Sequence, residues 1–389
     1  MLLVRKIASD MRPNLLCFSC LFLWLGLMLA GLWPFNFRPR NRVNWLPGAQ
    51  GLHFNQYGQI YGQTPLRLKP APAIEASSPG FTLELGVSPP ANYDTISTIL
   101  CVCDPAQKRD LTLQQWGTFL MVHGYFHDVT SGGTLASLWM GHIGSIERPA
   151  WLTITSGPEG TMVYVDGRPR TSLRDKTVLP ESDSGFLLLG HSPSGGAAWS
   201  GDIFGLAFYN RPLAPNEVAA HHQIWLSGKT EQLKSAFALY TFVEGKGSLV
   251  HNWIASPAPD LFIPARFERF RPNILDFPHP MKKSDVQDTI FNILGFIPFG
   301  FLLMLYLHHV KGYPTADAVL LSVTAGATMS LIIELAQVLL PTRDSSALDL
   351  INNVVGSLAG SLLAMATRDS WYRSVDTLPC FRRRTRQSR

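Results

Sequence analysis

Cysteine is scarce, with 5 in 389 residues, and their placement excludes a disulfide framework. Cys17 and Cys20 lie in an apolar run and Cys380 in a basic tail. Cys101 and Cys103 stand at i and i+2, which on a strand puts both on one face as small buried residues rather than as a bridge. Charge is sparse too, at 16% of residues, and the net +5 from 33 basic and 28 acidic side chains identifies no partner; no nucleic-acid role is expected. There is no nucleophile or metal-ligand cluster. No strand carries the closely alternating Glu and Asp that retaining glycoside hydrolysis needs at about 5 Å separation. No catalytic residue, metal site or cofactor is therefore expected. Calcium in the β-rich part is left open, although no dense Asp/Asn loop of the EF-hand type is present.

What the chain has instead is apolar residues, 46% of the total, gathered at its two ends. The uncharged run 15–33 has about the ~20 residues that a membrane-crossing helix requires, and Arg5, Lys6 and Arg12 precede it. A cleaved signal peptide is the alternative, since a basic start and an apolar run describe that element as well. The run is long for a signal core and ends in Trp33-Pro34-Phe35 without a small-residue cleavage site, which favours an anchor. Three further runs, 290–307, 318–340 and 348–366, are each able to cross a bilayer, and their short connections make neighbours antiparallel. Lys and Arg are enriched in segments retained in the cytoplasm. The stub, the loop holding Lys311, and the tail with Arg368, Arg373, Arg382, Arg383, Arg384 and Arg386 all fall on one side of a four-span arrangement, so both termini are expected in the cytoplasm and 34–288 outside.

Between the first two spans the pattern changes to a period of two, the mark of strands with one buried face. Phe81, Leu83 and Leu85 alternate with Thr82 and Glu84, and Asp166-Gly167 reads as a hairpin turn after Met162-Val163-Tyr164-Val165. Many such strands indicate a β-sandwich. Trp151-Leu152-Thr153-Ile154, Val163 to Gly167, Gly201-Asp202-Ile203, and Leu206 to Leu213 with Glu217-Val218 resemble a LamG or concanavalin A-like jelly roll. That resemblance implies carbohydrate or protein binding. The phrase from Tyr240 to Gly247 more often opens such domains than follows them, which leaves the strand order open. Trp116, Trp139 and Trp199 read as core or rim packing.

The later spans carry polar residues where lipid penalises them: Asp288 and Asn292, then Glu334 and Gln337, then Asp349, Asn352 and Asn353. In the four-span arrangement all three groups fall in one outer-leaflet layer, with Glu334 about 9 Å below the boundary at about 1.5 Å per residue. Arg343 in the short outer loop is the expected partner of Glu334. Gly356 and Gly360, four apart, allow close helix approach, and Gly295, Pro298 and Gly300 are likewise expected at helix-packing positions.

Asp288-x-x-x-Asn292 followed by Gly295-Phe296-Ile297-Pro298-Phe299-Gly300, then Glu334-x-x-Gln337 with Pro341 and Arg343, and Asp349-Leu350-x-Asn352-Asn353-x-x-Gly356-x-x-x-Gly360, resemble the VanZ family. The resemblance implies a small four-span bacterial membrane protein of a family named for a member associated with lowered susceptibility to the glycopeptide teicoplanin. This chain departs from compact members by carrying a sandwich after its first span. The expected fold class is α + β multidomain: a four-helix transmembrane bundle with an extracytoplasmic jelly-roll sandwich inserted between the first and second spans. The expected boundaries are a basic stub 1–13, span 14–33, a connecting segment 34–80, the sandwich 81–226, completing strands and linker 227–285, VanZ-like helices 286–367 and a basic tail 368–389. Three functions follow from this reading: recognition of an envelope lipid, glycan or protein, an intramembrane enzyme using Glu334 as base, and an anchor that only presents the sandwich.

Overall fold

The computed structural model describes residues 2–67, 80–89, 96–103, 110–117, 119–128, 132–142, 149–174, 176–178, 184–193, 198–270, 274–277 and 283–377. The expectations for Cys380, for the arginines from 382 onward and for the side chain of Trp139 lie outside what is described. The helices are α1 (Leu2–Leu32), α2 (Pro215–Ser227), α3 (Lys283–Leu305), α4 (Thr315–Gln337) and α5 (Ala347–Thr377). The chain divides into two compact units, one of Met1–Phe37 with Asn273–Arg389 and the other of Arg38–Pro272.

The second unit is built of two antiparallel sheets. In one, Phe81–Ser88 lies between Gly201–Tyr209 and Ala150–Gly157; the order runs out to Val43–Trp45 on one side and Arg168–Leu173 on the other. In the other, Ser97–Cys103 lies between Leu111–Trp116 and Ser184–Leu189. Register explains the core. Leu83 and Leu85 sit opposite Ile154 and Leu152 on one side and Phe208 and Leu206 on the other, so all six present one face. They meet Leu100, Val102, Leu113, Leu187 and Leu189 of the facing sheet. The segment 34–80, expected as a connection, supplies Val43–Trp45 and Leu52–Phe54 to the first sheet and Ile60–Gly62 to the second. After α2 the chain returns, and Ala238–Tyr240 pairs beside Gly201–Tyr209. Tyr240, the first residue of the late phrase, therefore ends a strand of this sheet, and 241–247 follow outside it. Trp199 is fully buried and its indole donates to Gln115 Oε1 at 2.7 Å, while Trp116 is 43% exposed and belongs to the rim. Cys101 and Cys103 are buried and not joined in a disulfide, and the Cys103 thiol donates to the Phe186 carbonyl at 3.3 Å.

The outer face of the first sheet is buried as well, because α2 covers it. Pro215 opens this helix and Gly228, at φ +69°, ends it. Glu217 accepts the Ala214 N–H at 2.8 Å and binds Arg211 through both oxygens, at 2.7 and 2.8 Å. Beneath the helix Trp225 stacks on Trp151 at 4.3 Å. Gly86 and Gly205 lie opposite each other in register, and a Cβ on either would strike the Trp151 ring, so the glycines make the slot that the stack fills. Glu84, 1% exposed, takes Tyr209 Oη, Trp225 Nε1 and His221 Nδ1, each at 2.9 Å. A carboxylate so deep is tolerated because donors surround it.

The helices of the first unit owe their spacing to glycine. A Cβ on Gly356 would meet the Ile293 carbonyl, one on Gly360 the Ile297 carbonyl, and one on Gly300 the Ser357 carbonyl, so α3 and α5 touch backbone to backbone along these three positions. Phe296, Phe299, Met329 and Ile333 form a core between α3 and α4, with Leu27 and Met28 of α1 against it. Pro298 is exposed, within a helix that runs on to Leu305. Among the described residues, four helical segments, Asn14–Leu32, Val286–Val310, Thr315–Gln337 and Ala347–Thr367, are long and apolar enough to cross a membrane.

Two outcomes are expected for the sandwich in the full-length protein. Glu84→Leu strands the Tyr209 and Trp225 donors and should cost about 3 kcal/mol, read as a lowered melting midpoint in tryptophan fluorescence. The Arg211 guanidinium, through its hydrogen bonds, holds the Glu217 carboxyl at about 2, down from 4.5. A depressed folded-state value contributes stability that is present above pH 4.5 and lost as pH falls towards 2. Glu217→Gln should reduce the loss of stability between pH 5 and pH 2 by the Glu217 share, read as a smaller fall in melting midpoint over that range than in the wild type.

Candidate functional site

Helix α4 ends at Gln337, a short loop turns back, and α5 begins at Ala347; this reversal builds the polar end of the first unit. Ser346 starts α5, its Oγ accepting the Asp349 N–H at 3.3 Å and its own N–H going to Glu334 Oε2 at 2.8 Å. Ser345 accepts the Leu275 N–H on its Oγ (3.1 Å) and the Asp276 N–H on its carbonyl (3.2 Å), and Ala347 N–H returns to the Asp276 carbonyl (3.1 Å). The segment 274–277 is thereby laced to the loop. Gln337 Nε2 donates to the Gly31 carbonyl of α1 at 2.8 Å, and Arg343 Nε to the Trp33 carbonyl at 3.2 Å.

These contacts enclose a cleft of about 810 Å³. Asp288 and Asn292 reach it from α3, Glu334 and Gln337 from α4, Arg343 from the loop, and Asp349 and Asn353 from α5. Asn352 does not line it: neighbouring residues on a helix point about 100° apart, and Asn352 Nδ2 donates instead to Thr289 Oγ1 of α3 at 3.0 Å. Gly295 lines the cleft and has room, a Cβ there meeting only Leu27 Cδ2 at 3.6 Å. The partner of Glu334 Oε2 is the Ser346 backbone rather than the expected Arg343 guanidinium.

Below the cleft the polar residues continue, which the expectation of a single layer did not include. On α5, Asp349, Asn353, Ser357 and Ser361 recur every four residues; on α4 so do Glu334, Ser330, Gly326 and Ser322. The helices run antiparallel, so the two rows meet rung by rung. Asn353 Nδ2 donates to Ser330 Oγ at 2.9 Å, a Cβ on Gly326 would collide with Ser357 Oγ, and Ser361 and Ser322 hydroxyls bond at 3.1 Å. Ser322 also caps the Gly300 carbonyl at 3.0 Å. With about 6 Å per four residues, the ladder descends about 18 Å from the cleft. Asn353 Oδ1 and Ser357 Oγ are buried without a partner.

Sequence reasoning missed the serines because Ser is small and common in apolar helices. Two signals were present: the four-residue recurrence on both helices, and Ser346-x-x-Asp349, a helix-start pattern that places the loop. Asp276 and Phe277, in the segment that precedes α3, carried no such signal.

The chain combines apolar helices of spanning length with an antiparallel sandwich, which suggests a membrane protein carrying a concanavalin A-like domain. The chain carries a VanZ/LLP1 domain, matched over residues 225–368, and a domain of the concanavalin A-like lectin/glucanases superfamily, matched over 76–219. Among solved structures, the receptor binding domain of botulinum neurotoxin D is similar at 13% identity and TM-score 0.35, over 47% of this chain and 46% of that one. Trypanosoma rangeli sialidase is similar at 19% identity and TM-score 0.35, over 47% of this chain and 28% of that one. The chain thus spans less than half the length of each. No curated protein matches the chain.

Gly360→Val should drive its side chain into the Ile297 carbonyl and the Phe301 nitrogen, 2.8 Å from an ideal Cβ, and cost about 3 kcal/mol or more. Gly295→Ala should be nearly neutral. Fluorescence-detected size exclusion of the membrane-extracted protein separates the two: a collapsed or aggregated peak for the first, a wild-type peak for the second.

Proposed function

We propose that this is a protein of the bacterial cell envelope whose helical bundle recognises a polar group of an envelope lipid or lipid-linked precursor. The sandwich, facing outward between the first and second spans, binds a glycan or protein nearby. One observation carries this reading: polar side chains from α3, α4, the loop and α5, among them Asp288, Asn292, Glu334, Gln337, Arg343, Asp349 and Asn353, line a single cleft, and Glu334 and Asn353 are only 2% and 4% exposed. Buried ionisable groups in membrane helices are costly and are retained where they have something to bind or to hold. The asymmetry of Lys and Arg supports the orientation, with both termini in the cytoplasm and the cleft at the outer leaflet. A link to glycopeptide susceptibility is an extension of the same reading, through the VanZ/LLP1 domain.

The ladder favours a second reading, in which the polar residues only lock α4 to α5 and the bundle presents the sandwich. Hydrogen bonds between membrane helices contribute about 0.6 to 2 kcal/mol each, enough for that role. Binding separates the two. Full-length protein in nanodiscs should retain envelope-lipid extract components detectable by native mass spectrometry, and Glu334→Gln with Asp349→Asn should reduce that retention at least tenfold while the protein stays folded. Unchanged retention in the folded double variant contradicts recognition and leaves the anchor.

A further inference from the structure

The cleft carries a chemical preference that can be read from its walls. Among the described residues, Asp276, Asp288, Glu334, Asp344 and Asp349 line it against one cationic side chain, Arg343. Glu334 forms no ion pair among the described residues, and one backbone N–H reaches its Oε2. Asn353 has spent its amide hydrogens' side on Ser330, leaving Oδ1 a buried acceptor without a donor. A buried carboxylate with so little compensation, and a buried acceptor without a donor, both call for positive charge and N–H groups from elsewhere. No set of three or more His, Cys, Asp or Glu is placed to hold a metal ion among the described residues, which turns the inference towards an organic cation.

We infer that the cleft takes a cationic, donor-only head group, a primary ammonium being the simplest, which names the ligand class of the recognition site proposed above and rests on that reading. An ammonium offers three N–H donors and no lone pair, so it can satisfy Glu334 and Asn353 together. A hydroxyl brings lone pairs against the carboxylates, and an anionic head is repelled by them. The ammonium can come from a membrane lipid or from a soluble amine, and the cleft chemistry is the same for both.

The test uses the full-length protein in dodecyl maltoside and three probes: short-chain phosphatidylethanolamine, the same lipid with its amine acetylated, and free ethanolamine. Affinity is read from the shift in melting midpoint. Phosphatidylethanolamine should bind roughly tenfold or more tightly than its acetylated form, the scale of a lost charge-assisted hydrogen bond. Asp349→Asn and Asp288→Asn should each erase much of that preference, and Asp317→Asn, at the far end of α4, should not. A shift with the lipid alone assigns the ammonium to a membrane head group; a matching shift with ethanolamine assigns a soluble amine. Equal binding of the acetylated lipid overturns the ammonium while the recognition reading stands, because the cleft is still occupied. No shift with either amine probe overturns it too, and retention of envelope lipids then decides the recognition reading separately.

Discussion

Backbone contact between α3 and α5 is the constraint on which the helical unit depends. Three glycines leave no side chain between the helices, and carbonyls of Ile293, Ile297 and Ser357 occupy the space instead. That closeness fixes the rotation of α5, and the rotation fixes which residues face α4. Every fourth position then turns inward, so Asn353 finds Ser330 and Ser361 finds Ser322. The cleft is the open end of the same arrangement, where the rungs become too polar to close on themselves and the loop from α4 to α5 supplies the remaining wall.

Two glutamates are buried among the described residues, Glu84 and Glu334, and their surroundings differ. Glu84 in the sandwich receives three side-chain donors and fastens α2 over the sheet. Nothing further is required of it. Glu334 in the helical unit is almost as buried, yet its recorded partner is one backbone N–H, and it opens on a cleft lined by more acids. Three side-chain donors offset the burial of Glu84, whereas a single backbone N–H is offered to Glu334 at the cleft wall. The recognition role proposed for the helical unit rests on this contrast between the two glutamates.

Much of the fold was legible because periodicity records burial. Alternation in Phe81 to Leu85 predicts a half-buried strand, and the apolar runs predict helices of spanning length. The small strands at 43–67 were not legible, being two or three residues long and held by tertiary pairing rather than by their own pattern. At the cleft, Asp288, Glu334 and Asp349 stand out because charge in an apolar run is conspicuous. The serine rungs do not, and Asn352 and Asn353 cannot be separated without knowing how α5 is rotated. Partner choice was least legible of all: Glu334 and Arg343 suggest an ion pair by charge, but a backbone N–H at the start of α5 is nearer, and only the loop's path shows that.

The register of α4 against α5 is the claim from which cleft and ladder both follow, and cross-linking in native membranes tests it directly. In a background with the native cysteines replaced, Ser322→Cys paired with Ser361→Cys should form a disulfide rapidly under mild oxidation, since the two hydroxyls lie 3.1 Å apart, while Ser322→Cys paired with Leu362→Cys should not. Equal cross-linking of both pairs, or formation of the second alone, would mean that α5 is turned away from this register and that the polar residues do not meet as described.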